Sequence, residues 1–259
     1  MHRIFFFDID NTLLDHRTLS IPPSALSAIE VLKREGHTVA IATGRSYDHA
    51  RPFIDLVQPS YAITQNGARI LQGDKEVLSI PLPRQALINL FDWIHSLGHP
   101  YGANNGASGY LSDLLPITTE PLDTVGMPYQ STDKFYLQRD VYQGWLFFDE
   151  NLDAELIPEI RERYPDFDVA RWHKTAVDIL SRTVNKWTGC QWVLTQTGFR
   201  PDQAVAFGDG INDIQMLKGV GLGIAMGNAH PDLKAVADRI APALHLDGIA
   251  VMLDELMRG

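Results

Sequence analysis

The sequence predicts an α/β fold, a doubly wound and mostly parallel sheet interrupted by an inserted α+β domain. Three observations predict it. Short, continuous apolar runs alternate with helix-period segments, the pattern of strands buried on both faces between crossover helices. Several of those runs end on turns bearing aspartate, threonine or glycine, where open α/β sheets hold their ligands. The pattern breaks off after Asn66-Gly67 and returns near Lys186, so a different architecture lies between.

Residues 4–7, Ile-Phe-Phe-Phe, form the first buried strand. Pro22, Pro23 and Ser24 open a helix carrying Leu26, Ile29 and Leu32, and Gly36 stops it. Residues 38–42 are a second buried strand, followed by Thr43-Gly44-Arg45 and a further helix, and residues 61–64 are a third. Residues 68–71 and 77–80 flank Gly73-Asp74 and read as a hairpin. From 82 to 180 the chain reads as an inserted domain of about one hundred residues, within the usual domain range. Helices are expected at 85–97 and 152–164, and short strands near 109–111, 145–148, 168–172 and 176–180. Residues 116–132, rich in Pro, Thr and Gly, read as loop. Residues 1–81 and 181–259 form the other body. Its second half holds a helix at 186–197, a strand at 204–207 and the turn Gly208-Asp209-Gly210. A helix starting near Asn212, a strand at 222–226 and a C-terminal helix striped by Ile249, Leu253 and Leu256 complete it.

Composition narrows the partners. Lysine plus arginine number 22 against 32 aspartate plus glutamate, a formal net charge of −10, which argues against a general nucleic-acid binder. A local cluster of cations can still serve a small anionic substrate on an acidic protein. Cys190 stands alone, so no intrachain disulfide forms. The apolar run at the N-terminus is too short for a signal peptide, and no stretch has the length of a membrane span. A soluble cytoplasmic protein with no membrane partner is the expectation.

Chemistry concentrates in four places. Asp8-Ile9-Asp10-Asn11-Thr12 follows the first strand, and side chains at i and i+2 of an extended segment share a face, so Asp8 and Asp10 can share a site. Two carboxylates there repel unless a proton or cation intervenes, and a hard divalent ion such as Mg²⁺ resolves the conflict. The alternative is a turn that the aspartates merely cap. Gly208-Asp209-Gly210-Ile211-Asn212-Asp213 follows another strand, with Asp209 and Asp213 as further oxygen ligands or orienting groups. Thr43-Gly44-Arg45 offers a hydroxyl, backbone N–H groups and a helix N-terminus to an anion, although Thr43 can equally be an N-cap. Lys186 opens a later helix and can reach a phosphoryl oxygen, where an isolated lysine is ordinarily a solvated surface charge.

In combination and in this order, the four elements resemble the haloacid dehalogenase-like superfamily, and within it the Cof-type sugar phosphatases. Gln65-Asn66-Gly67-Ala68, the stretch from Leu222 to Ala229 and Asp247-Gly248-Ile249-Ala250 fit the same group. The resemblance implies a Rossmann-like catalytic core, with the insertion as an α+β cap. It implies Asp8 as nucleophile, Asp10 as general acid/base, and Mg²⁺ held by Asp8, the Asp10 backbone carbonyl and Asp209, with Asn212 and Asp213 nearby. Thr43, Gly44, Lys186, Asn212 and the Ile9 backbone would hold the phosphoryl group, with Arg45 assisting. The expected substrate is a small phosphorylated metabolite, sugar phosphates being favoured. Trp187 departs from the pattern, since the family usually has glycine after the lysine. The stretch between Asp10 and Thr43 holds one helix and one strand and leaves no room for a large lid, which argues against a phosphomutase. A ligand-sensing relative without catalysis is the second alternative, against which all four elements stand intact. Within the insertion, Asn104, Asn105, Arg171, Trp172 and His173 are the candidates for substrate contact.

Overall fold

The computed structural model describes residues 2–104, 108–132 and 134–258. Along the chain, β1 (Ile4–Phe7), α1 (Pro23–Arg34), β2 (Thr38–Ala42), α2 (Tyr47–Val57) and β3 (Tyr61–Thr64) lead into a hairpin of β4 (Arg69–Gln72) and β5 (Lys75–Ser79). Next come α3 (Arg84–Ser96), β6 (Tyr101–Asn104), β7 (Gly109–Leu111), α4 (Pro116–Thr124) and β8 (Tyr129–Ser131). β9 (Gln143–Phe147), α5 (Asp153–Arg163), β10 (Phe167–His173) and β11 (Ala176–Ser181) follow. The last stretch holds α6 (Lys186–Thr197), β12 (Ala204–Gly208), α7 (Ile214–Gly219), β13 (Leu222–Ala225), α8 (Pro231–Lys234), β14 (Arg239–Ile240) and α9 (Gly248–Arg258).

The chain divides into two compact units, one of Met1–Ser79 with Asn185–Gly259 and one of Ile80–Val184. The first unit is built on an eight-stranded sheet in the order β14-β13-β12-β1-β2-β3-β4-β5. It is parallel from β14 to β3, with β4 and β5 added antiparallel at one edge. β1 lies between β12 and β2 with every residue buried, which is why its sequence is apolar without alternation. Phe7 stacks on Phe207 across the β1–β12 pair, at 5.0 Å between ring centroids. Because β1, β2 and β12 run parallel and adjacent, their carboxyl ends deliver Asp8, Thr43 and Asp209 to one edge of the sheet.

The second unit is a six-stranded sheet, β10-β11-β9-β6-β7-β8, antiparallel except for the β7–β8 pair. Leu87, Leu90, Phe91 and Ile94 of α3 and Leu156 and Ile160 of α5 pack one face against Leu146, Val169, Val177 and Ile179. On the other face, Leu122 of α4 packs with Trp145, Phe147 and Ala176.

Two expectations for the insertion need correction. Residues 116–132 are not loop, since they contain α4 and β8. Pro116 sits at the first helical position, where its missing N–H costs nothing, and Thr118 bonds back to the Leu115 backbone to close the turn. β6 was absent from the expected strands, because Tyr-Gly-Ala-Asn carries little strand signature and is fixed by pairing to β7 and β9. Among the described residues no helix is long and apolar enough to cross a membrane.

Candidate active site

Asp8 follows β1 directly, and its backbone N–H donates to the Phe207 carbonyl at 3.1 Å, continuing the sheet one residue past the strand. Its carboxylate is only 4% exposed. Lys186, the first residue of α6 and 1% exposed, donates from Nζ to Asp8 Oδ1 and to Asp213 Oδ1, each at 2.7 Å. The lysine is therefore buried between two carboxylates and not a solvated surface charge. Its entry is secured by Asn185, whose side chain accepts from the Thr188 N–H while the Asn185 N–H donates to Thr188 Oγ1. Trp187 does not disturb that entry.

Asp213 is fully buried and is the hub of the acidic turn. Its Oδ2 accepts from the backbone N–H groups of Asp209 and Gly210, both at 3.0 Å, which folds the turn around it. Asp213 closes a single 3-10 turn, Ile211–Asp213, before α7, so the six residues of α7 begin just past Asn212. Oxygen atoms of Asp8, Asp209 and Asp213 all lie within 4.8 Å of one another.

Burial raises the Asp8 carboxyl well above the carboxylate range, aided by the Asp213 and Asp209 charges and opposed by Lys186. Burial and Asp213 push Asp209 up to about 6, against the pull of Lys186 and the Asn11 side chain. Lys186 is held above its ordinary value; burial opposes its charge, but Asp213 and Asp8 outweigh it. Three carboxylates thus face one ammonium, and the cluster lacks positive charge. That deficit, with an all-oxygen donor set, fits a hard divalent cation.

Asp10 stands apart from the triad. Arg45 grips its carboxylate with both arms of the guanidinium, Nε to Oδ2 at 2.9 Å and Nη2 to Oδ1 at 2.6 Å, and His16 Nε2 lies 2.8 Å from Oδ1. The Asp8–Asp10 repulsion expected from the sequence is thus relieved by a guanidinium on the Asp10 side. Burial pushes the Asp10 carboxyl up, yet Arg45 and then His16 outweigh it and hold it below its ordinary value. Arg45 itself is aimed at Asp10, with its guanidinium 4.9 Å from the Phe53 ring centre.

Thr43 is fully buried, and its Oγ1 accepts from the Arg45 N–H at 3.1 Å. The Asn66 N–H donates to the Thr43 carbonyl at 3.0 Å, and Asn66 Oδ1 accepts from Asn212 Nδ2 at 3.0 Å. A side chain on Gly44 would meet Asn66 Oδ1 at 3.1 Å and Asn212 Nδ2 at 3.5 Å. Asn66 therefore joins the Thr43-Gly44 turn to the Asn212 turn. Left-handed backbone at Gln65 and Asn66, φ 49° and 53°, forms this joint, a task that the sequence of residues 65–68 does not disclose. His16 was missed outright, as nothing in its neighbourhood of the sequence marks it.

A family model for the haloacid dehalogenase-like hydrolases matches residues 5–253. The chain belongs to the haloacid dehalogenase-like hydrolases. Among relatives of this hydrolase, Bacillus subtilis YkrA is 33% identical over 98% of this chain and 97% of its own length. A crystal structure of a protein from Geobacillus kaustophilus is 32% identical, with a TM-score of 0.90 and 99% of each chain covered. The sugar phosphatase BT4131, of subclass IIB of the same superfamily, is 25% identical, with a TM-score of 0.80 over 98% of this chain and 99% of its own.

Of the insertion's candidates, Asn104 is buried rather than exposed, and Asn105 lies outside the described residues. Arg171 is taken up by an ion pair with Asp153, and His173 Nδ1 lies 2.9 Å from Thr175 Oγ1. Trp172 packs beside Trp145, Phe147 and Ala176. Arg171, Trp172 and His173 thus make these contacts within the insertion.

Proposed function

We propose that this chain is a Mg²⁺-dependent phosphatase of small phosphate monoesters, sugar phosphates foremost, acting through an aspartyl-phosphate on Asp8. One observation carries the reading: Asp8, at the end of the central strand, is oriented by a buried lysine inside a carboxylate triad short of positive charge. Asp8, Asp209 and the Asp10 backbone carbonyl would hold the ion, with Asp213 orienting the site through Lys186 and the Asp209 N–H. Bound there, a divalent cation supplies charge neutralisation that lets two anions approach.

The chain's residues supply the rest. Lys186 fixes Asp8 Oδ1, leaving the other carboxylate oxygen to attack phosphorus. As that P–O bond forms, the bond to the leaving oxygen breaks, and Asp10 delivers a proton to the departing alkoxide. Asp10, now ionised, takes a proton from water as the water attacks phosphorus; the bond to Asp8 breaks and inorganic phosphate leaves. The Arg45 fork favours ionised Asp10, the form the second half needs, so Arg45 has to release Asp10 before it donates. The Lys186 ammonium, the Thr43 hydroxyl, Asn212, and the Ile9 and Gly44 backbone N–H groups are the donors for the equatorial oxygens, with Arg45 joining them once it leaves Asp10. The inserted unit acts as the cap that carries leaving-group recognition.

Likeness to a sugar phosphatase over nearly the whole chain supports the substrate class. The test is hydrolysis of p-nitrophenyl phosphate with and without Mg²⁺, by the parent protein and by Asp8→Asn. Activity that requires Mg²⁺ and falls at least about a thousandfold in the variant is expected. Near-parental turnover by Asp8→Asn removes the nucleophile from the scheme.

A further inference from the structure

The turn after β3 holds Gln65, Asn66 and Gly67 in left-handed backbone in succession, with φ of 49°, 53° and 101°. Glycine takes that region freely and asparagine tolerates it, but two adjacent non-glycine residues there are a cost to the fold. Such conformations persist where the surroundings over-determine them, and they cluster at functional sites. Here the surroundings are the strand end and helix start that carry Thr43, Arg45 and Lys186. The Gln65 N–H donates to the Arg45 carbonyl at 2.8 Å, and the Asn66 N–H to the Thr43 carbonyl at 3.0 Å. A side chain on Gly67 would lie 2.2 Å from the Asn185 carbonyl oxygen, so the turn packs backbone to backbone on the residue before Lys186.

This backbone lays the Asn66 side chain across Gly44. A Cβ on Gly44 would lie 3.1 Å from Asn66 Oδ1, 3.3 Å from Asn66 Nδ2 and 3.5 Å from Asn212 Nδ2. Both amides thus rest against the bare face of Gly44. Asn66 Oδ1 accepts from Asn212 Nδ2 at 3.0 Å, which spends one of the two Asn212 amide hydrogens. Asn66 Nδ2 carries two more, and among the described residues it has no hydrogen-bond partner. The Gln65 amide beside it is buried and unpaired, whereas Asn66 is half-buried and its Nδ2 reaches solvent. That donor is open to a ligand.

We propose that Asn66 is a further donor to the transferring phosphoryl group, Nδ2 bonding one of its oxygens while Oδ1 orients Asn212 on the same group. The inference deepens the proposed function and rests on it. An ionised phosphoryl group offers only acceptors, and Asn66 meets it with its donor end because its acceptor end is taken by Asn212. Aspartate would fit the same space and the same backbone, yet it would turn a negative charge on the phosphoryl oxygens.

The experiment compares Asn66→Asp with Asn66→Gly in the full chain, since both new residues accept left-handed backbone. Aspartate keeps the acceptor for Asn212 and loses the donor; glycine loses both. If Asn66 only joins two turns, Asn66→Asp keeps near-parental kcat/KM for p-nitrophenyl phosphate and exceeds Asn66→Gly. The proposal expects the reverse order. Asn66→Gly should lower kcat/KM about a hundredfold, the scale of one lost donor to a developing charge, and Asn66→Asp about tenfold further. The denaturant midpoint of Asn66→Asp should stay with the parent's, and the order should hold at about 1 M salt, where repulsion through solvent is screened. Asn66→Asp within about threefold of the parent overturns the proposal, as does an order that collapses in salt. Calorimetric binding of inorganic phosphate in MgCl₂ separates this proposal from the phosphatase reading. Should the parent bind phosphate more tightly than Asn66→Asp and yet hydrolyse no ester, the donor stands and the phosphatase reading falls. Phosphate bound equally by the two overturns the donor whatever the activity. If Asn66→Gly does not fold, Asn66→Asp against the parent decides alone, by the same outcomes.

Discussion

The two units treat buried charge in opposite ways. In the unit built on the parallel sheet, Asp8, Lys186 and Asp213 lie out of solvent and each answers another at 2.7 Å. In the inserted unit, Asp178 is pushed up to about 7 by burial, opposed only by the neutral side chains of Gln143 and Trp145, with no cation among the groups that shift it. The first arrangement is electrostatically interlocked, so removing one member strands the others. The second is a lone acid, so removing its charge relieves the fold. The same chemical group thus has opposite value for stability, depending on what the strands place beside it.

Lys186→Met gives the largest expected effect. It strands two buried carboxylates and is expected to cost about 3–5 kcal/mol as well as activity. Asp8, whose carboxyl burial already raises, then loses the lysine that opposed the rise. The folded state retains a proton there that the unfolded state has lost, so stability falls as pH rises from about 4 through the folded value of Asp8. Chemical denaturation at pH 5 and pH 8 checks this, and an equal loss at both would deny the interlock.

What the sequence made legible follows the same division. In the first unit each chemical group ends a strand, so Asp8, Thr43 and Asp209 sit in contiguous motifs after recognisable apolar runs. Strand order then brought the motifs together. Two assignments needed the third dimension. Asp213 became the hub only because its turn folds back on the Asp209 and Gly210 N–H groups, and Arg45 turned to Asp10, across a separation that no local pattern reports. In the second unit, Gln143, Trp145 and Asp178 lie on the flat of a sheet, scattered over two strands at a period of two. Such a cluster has no contiguous signature, and antiparallel pairing alone assembles it. The missed β6 and α4 belong to the same region, where Gly and Pro serve packing and helix initiation instead of marking turns.

Asp178→Asn sharpens the contrast with the opposite sign. The carboxyl of Asp178 is raised from 3.8 to about 7 on folding, so ionising it opposes the fold. Stability tied to this group is greatest below pH 4 and is lost as pH rises toward 7. The variant is expected to flatten that slope and to be more stable than the parent at pH 8. A variant less stable at pH 8 would mean that Asp178 is structural, and would merge the two units into one rule.

The smallest effect concerns Trp187, which follows Lys186 in the first unit, and asks whether its role there is packing alone. A Cβ on Gly219, the last residue of α7, would lie 2.3 Å from Trp187 Cε2, so the indole occupies the space a side chain there would need. Gly219→Ala is expected to cost about 1–3 kcal/mol by overpacking. Elsewhere in a helix the same change gains up to about 1 kcal/mol, because glycine has more backbone freedom to lose. With Trp187→Ala present, Gly219→Ala should therefore turn from destabilising to neutral or stabilising. Reversal of sign in the double-mutant cycle, with kcat/KM for p-nitrophenyl phosphate within about twofold in the double variant, identifies a packing exchange between α6 and α7. Additive losses, or a collapse of kcat with stability intact, would instead tie the indole to the setting of Lys186 beside it.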